Sequence, residues 1–124
     1  MFYVTEVLQT TTSVSGQSNI ASLGAITVDE SGEFWLLEDD KLGGFDANVK
    51  RIYSADLAGA AANSIVTKTL VRDLLDEGDL PLAGGFTPNN LEALTVLSDG
   101  RAYLVNDNDN SRDNIGETRL FIVE

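Results

Sequence analysis

With 124 residues, 20 of them acidic and 8 basic, the chain carries a net charge of −12 and is large enough for one domain with its own core. That balance argues against nucleic acid and anionic membranes as partners, since either needs a basic surface, and makes cations the natural counterparts. The chain has no cysteine and no histidine, which removes disulfides, thiolate zinc sites, imidazole bases and any Ser-His or Cys-His dyad made by this chain alone.

What remains for chemistry is carboxylates, a bound metal, Lys, Tyr or groups from another chain. The acids are dispersed along the sequence, and solubility accounts for most of them. No apolar run approaches the ~20 residues of a spanning helix. The first residues, Met1-Phe2-Tyr3-Val4-Thr5-Glu6, have neither a basic n-region nor an apolar h-region, so no signal peptide is expected at this end.

Phe2–Thr12 alternates and is rich in Val, Thr and aromatics, which predicts a strand. After the polar loop Ser13–Ser18, short strands are expected at Ala25–Val28 and Phe34–Leu37, joined by the turn Asp29-Glu30-Ser31-Gly32. A Gly-containing loop, Lys41–Asn48, leads to a strand at Lys50–Leu57, with Ile52 and Tyr53 as its packing residues. Thr67–Leu75 reads as a strand, although Leu70, Leu74 and Leu75 also suit a short helix. Asp76–Pro88 is a long loop rich in Gly, Pro and acids. Leu91–Leu97 and Ala102–Val105 flank Ser98-Asp99-Gly100 as a β-hairpin, and Thr118–Val123 closes the chain as a strand.

The two halves repeat. Leu23-Gly24-Ala25-Ile26-Thr27-Val28 aligns with Leu91-Glu92-Ala93-Leu94-Thr95-Val96, Gly32 with Gly100, and Phe34-Trp35-Leu36-Leu37 with Ala102-Tyr103-Leu104-Val105. Asp39 aligns with Asp107, and Arg51-Ile52-Tyr53 with Arg119-Leu120-Phe121. Every pair has the same offset, 119 minus 51, or 68, without a gap.

The pattern predicts an all-β, propeller-like fold: two four-stranded antiparallel blades at about 2–66 and 67–124. Blades around a channel are how a propeller protects its strand edges. Propellers of 4–8 blades are typical, so two blades imply either a ring of identical copies or the remainder of a longer chain. An eight-stranded β-sandwich is the alternative.

The open end of the hairpin gathers oxygen-bearing side chains. Glu92 aligns with Gly24, so the repeats differ at a position where one has no side chain. In a propeller the first strand of a blade lines the channel, and a carboxylate there points into it; a solvated strand end is the other reading. Asp107, Asp109, Ser111 and Asp113 fall at positions 1, 3, 5 and 7 of a calcium loop. Arg112 replaces its sharp-turn glycine and Glu117 falls one place early for its bidentate ligand. An Asx-rich turn without metal fits the same residues. Glu38, aligned with Asn106, is a further ligand candidate, while Trp35, Tyr53, Tyr103 and Phe121 read as packing residues.

With these residues placed, the sequence from about Ile20 to Glu124 resembles the C-terminal part of the phytase-like domain family, described as "esterase-like activity of phytase". The specific pieces begin with Phe34-Trp35-Leu36-Leu37-Glu38, Lys50-Arg51-Ile52-Tyr53-Ser54-Ala55-Asp56-Leu57-Ala58-Gly59-Ala60 and Thr67-Lys68-Thr69-Leu70-Val71-Arg72-Asp73-Leu74-Leu75. Leu91-Glu92-Ala93-Leu94, Asp99-Gly100-Arg101, Asn106-Asp107-Asn108-Asp109 and Glu117-Thr118-Arg119-Leu120 follow. The family more often has Glu-Gly at Glu92-Ala93 and an aromatic at Asn110.

The resemblance implies a β-propeller and a secreted or periplasmic hydrolase of phosphate or carboxylate esters; no catalytic residue set carries over. The residues allow metal-assisted hydrolysis. A calcium ion held by Glu92, Asn106 and Asp107, with Asp109 and Glu38 as further candidates, would polarise a small ester and activate water. Arg101 or Arg119 would bind an anionic group. The alternative is a non-catalytic, calcium-stabilised module for binding or adhesion; a carbohydrate-binding sandwich is a third reading.

Overall fold

A computed structural model describes residues 21–44, 47–76, 78–80, 87–107 and 118–124. The expected strand Phe2–Thr12 and the candidate ligand Asp109 lie outside the described residues, as does most of the Asx-rich loop. Among the described residues there is no α-helix. Seven strands among the described residues form two antiparallel sheets. The first has the order β1 (Ser22–Val28), β2 (Phe34–Asp39), β3 (Lys50–Ala55), β4 (Thr69–Asp73); the second has β5 (Leu91–Val96), β6 (Ala102–Asn106), β7 (Leu120–Val123).

The 68-residue repeat is a repeat of hydrogen-bond register. Ala25, Ile26, Thr27 and Val28 face Leu37, Leu36, Trp35 and Phe34. Ala93, Leu94, Thr95 and Val96 face Val105, Leu104, Tyr103 and Ala102 in the same way. Both β-turns close alike. Gly32 N–H donates to the Asp29 carbonyl at 3.1 Å, and Gly100 N–H to that of Leu97 at 2.9 Å. Each turn ends on a left-handed glycine, Gly32 at φ 89° and Gly100 at φ 86°, a conformation that a Cβ disfavours. Both inner strands also carry a bulge at the same place, at Gly24 in β1 and Glu92 in β5. A bulge adds one unpaired residue and shifts the side-chain alternation. For that reason Leu91 and Leu94, three apart, both reach the core.

β4 pairs with β3 and so completes the first sheet, drawing its last strand from beyond the 66/67 repeat boundary. The strand bounded here by Thr69 and Asp73 is shorter than Thr67–Leu75, because Leu74 turns inward and is fully buried. In the second sheet three strands are described, where four were expected.

One apolar core lies between the sheets. Leu37, Ile52 and Leu74 meet Leu91, Leu94, Leu104 and Phe121, with Trp35 packed at the margin. Burying such a side chain contributes roughly 1.5–3 kcal/mol. A smaller cluster of Leu36, Tyr53, Ala55 and Val66 covers part of the first sheet's other face. No helix among the described residues is long and apolar enough to cross a membrane.

Candidate functional site

The sheets approach most closely where β1 meets β5. A Cβ built on Gly24 would stand 2.5 Å from the Leu91 carbonyl oxygen, which no side chain tolerates without moving backbone. At the same junction a small cavity of about 190 Å³ is lined by Gly24, Asp39, Lys41, Asn90, Leu91 and Glu92, among others. The bulge at Glu92 sets this side chain at the cavity while its neighbours Leu91 and Leu94 point into the core.

Beneath the cavity lies a buried ionic network. Lys50 is wholly buried, with Nζ 2.6 Å from Asp39 Oδ1 and 3.5 Å from Asp40 Oδ1. Asp39 Oδ1 also accepts the Lys41 N–H at 2.8 Å, and Asp39 Oδ2 accepts the Leu91 N–H of the second sheet. Burial pushes the Asp39 carboxyl above its ordinary value, opposed by Lys50 and by these two N–H donors. Asp40 Oδ2 accepts the Asn48 and Val49 N–H groups at 2.6 and 2.9 Å. Lys41 takes a left-handed backbone, φ 61°, at the end of this network, and the residue lines the cavity.

The sequence-predicted site residues are only partly assembled. Glu92 and Asp107 end on the same side of the hairpin, and the Asp107 N–H donates to the Asn90 carbonyl at 2.8 Å. Neither carboxylate makes an ion pair among the described residues. Asn106 is buried at the end of β6, and its Oδ1 accepts the Arg119 N–H at 2.7 Å. Glu38 is buried and ion-paired with Lys68, whose Nζ lies 4.1 Å from the Tyr53 ring centroid. Arg101 sits at the turn end of the hairpin, paired with Asp99 at 2.7 Å. The strand β6 separates it from Asn106 by about 16 Å at ~3.3 Å per residue. Among the described residues, no three carboxylates converge on one point.

A larger hollow of about 490 Å³ lies beside the loop after β3, with Glu33 and Asp56 the charged groups lining it among the described residues. It is remote from the sheet junction, and Asp56 Oδ1 is engaged by the Gly59 N–H at 3.1 Å.

Sequence reasoning missed Lys41, Lys50 and Lys68. The usable signal was the rarity of bases: only 8 Lys and Arg in an acidic chain, with Lys50 and Lys68 inside or beside strands. Trp35 does more than pack, since its indole N–H donates to Asp29 Oδ2 at 2.9 Å.

The sequence model of the family described as Phytase-like, esterase-like activity of phytase, matches residues 2–110. The chain belongs to the phytase-like family. The match takes in both sheets up to β6 and the segment before β1. No curated protein and no solved structure matches the chain.

Proposed function

We propose that this phytase-like domain hydrolyses phosphate or carboxylate esters at the inner junction of its two sheets, which act as neighbouring blades of a propeller-type assembly. The observation that carries the reading is Glu92. It is a carboxylate without an ion pair among the described residues, lining the same cavity as Gly24. Family membership supports the reaction class.

The chemistry follows from the lining groups. Lys41 supplies the positive charge that an anionic ester needs, close to the carboxylate. Glu92 accepts a proton from water as the water oxygen attacks the phosphorus or carbonyl carbon; the ester C–O or P–O bond breaks and the alcohol leaves with a proton. Asp39 holds the Lys41 backbone through its N–H, and so positions that side chain.

The donors fit a cation in part. Glu92 and Asp107 are available oxygens, whereas Glu38 is committed to Lys68 and Asn106 Oδ1 to the Arg119 N–H. Calcium favours six to eight oxygens, more than these two carboxylates provide. When bound, a divalent cation would supply Lewis acidity toward the ester oxygen.

The commitment of Glu38 and Asn106 to structural contacts favours a second reading, a binding module without turnover. A panel of aryl phosphate and aryl carboxylate esters, with and without chelator, separates the two. Turnover lost on chelation and restored by calcium supports a metal-assisted hydrolase, and turnover indifferent to chelation supports Glu92 acting alone. Stability lost on chelation without any turnover supports the binding module.

A further inference from the structure

The repeat gives the chain two apolar sheet faces whose counterparts are already joined inside it. On the second sheet, Ala93, Val105 and Leu120 form one cross-strand row, and Thr95, Tyr103 and Ile122 the next. Their repeat counterparts, Ala25-Leu37-Ile52 and Thr27-Trp35-Ser54, form the face of the first sheet that packs on the second. Ile52 is 2% exposed; Leu120, in the same place one repeat later, is 62% exposed. The opposite face of the first sheet mirrors this. Leu91 and Leu94 are buried at 1% and 7%, and their counterparts Leu23 and Ile26 are exposed at 43% and 51%.

We infer that the Leu120/Ile122 face of one copy docks on the Leu23/Ile26/Val28 face of a second copy, head to tail. The warrant is the internal interface: two sheets of this repeat pack through these very rows, so each free face is shaped for the face at the other end of the molecule. Monomeric proteins seldom leave paired apolar rows of this kind uncovered. Because the two faces differ, the contact is heterologous and either closes into a ring or runs on.

One residue distinguishes this junction from the internal one. Gly24 touches the Leu91 carbonyl because it lacks a Cβ; at the intermolecular junction its counterpart, Glu92, meets Leu23 of the next copy. Glu92 therefore holds the inner strands further apart there than inside the chain, and sets the assembly's strength as well as its spacing. The surface rests on the internal interface and not on the hydrolytic reading, and Leu120 and Ile26, outside the cavity that holds Glu92, test assembly apart from turnover.

The test is solution mass of the 124-residue chain across micromolar concentrations, by light scattering. A discrete oligomer is expected. Leu120→Asp and Ile26→Asp, on opposite faces and both at exposed positions, are each expected to raise the dissociation constant roughly tenfold or more with circular dichroism unchanged. Glu92→Gly is expected to lower it. A monomeric wild type overturns the proposal; so does dissociation by only one of the two aspartates, which would mean a two-fold contact through a single face.

Discussion

The Asp39 carboxylate, at the end of β2 in the first sheet, accepts the backbone N–H of Leu91, the first residue of β5, across 52 positions of sequence. The same side chain holds the fully buried Lys50 at 2.6 Å. One carboxylate thus fixes the strand exit of one sheet, the strand entry of the other, and the backbone of Lys41 on the cavity wall. Its repeat counterpart, Asp107, is exposed, because no second described sheet lies beyond it.

Asp39→Asn is expected to cost about 3–5 kcal/mol in urea denaturation, the range for leaving one partner of a buried pair uncompensated. Lys50 would keep only Asp40 Oδ1, at 3.5 Å. A loss below about 1 kcal/mol would contradict the role given to this carboxylate.

The two bulge positions should respond in opposite ways. Gly24→Ala drives a Cβ toward the Leu91 carbonyl and is expected to destabilise by about 1–3 kcal/mol. Glu92→Ala, at an exposed position of the same local geometry, should stay within about 0.5 kcal/mol. Equal effects in thermal melts would mean that the β1–β5 approach is looser than described.

Asp29 gives the fold an acid-sensitive reporter. Hydrogen bonds from the Ser31 hydroxyl and then the Trp35 indole hold its carboxyl down to about 2. That lies below the unfolded value of ~3.9. The stabilisation is therefore complete above the unfolded value and is lost as pH falls through the folded one. Trp35 emission should change with a midpoint near pH 2, and Asp29→Asn should abolish that step. A midpoint near 4 would show that the hydrogen bonds to this carboxyl do not hold in solution.

Much of the fold was legible because the period-two pattern and the Gly-ended turns coincide in both repeats. Ile26, Leu36 and Tyr53 announce one face, and Trp35 and Leu37 the other. What was not legible has a common cause: buried charge. β2 runs on through Glu38 and Asp39 because Lys68 and Lys50 neutralise them in the interior, whereas alternation reads a run of acids as a solvated strand exit. β1 starts three residues before Ala25 because Gly24 is a bulge inside the strand and not its boundary. At the site, the contrast between Gly24 and Glu92 was readable from the repeat, since it needs only an alignment. The part played by Lys41 was not, because its place on the cavity wall depends on Asp39 turning the backbone. Arg101, expected to bind an anionic group, is instead paired with Asp99, two residues before it at the hairpin turn.

The most direct measurement is hydrolysis of aryl phosphate and aryl acetate esters by the wild-type chain and by Glu92→Gln, with denaturation midpoints recorded for both. The account predicts that the amide keeps the fold and lowers turnover by about 100-fold or more, the usual contribution of a positioned general base. A glutamine variant that hydrolyses the same esters at the wild-type rate would contradict it.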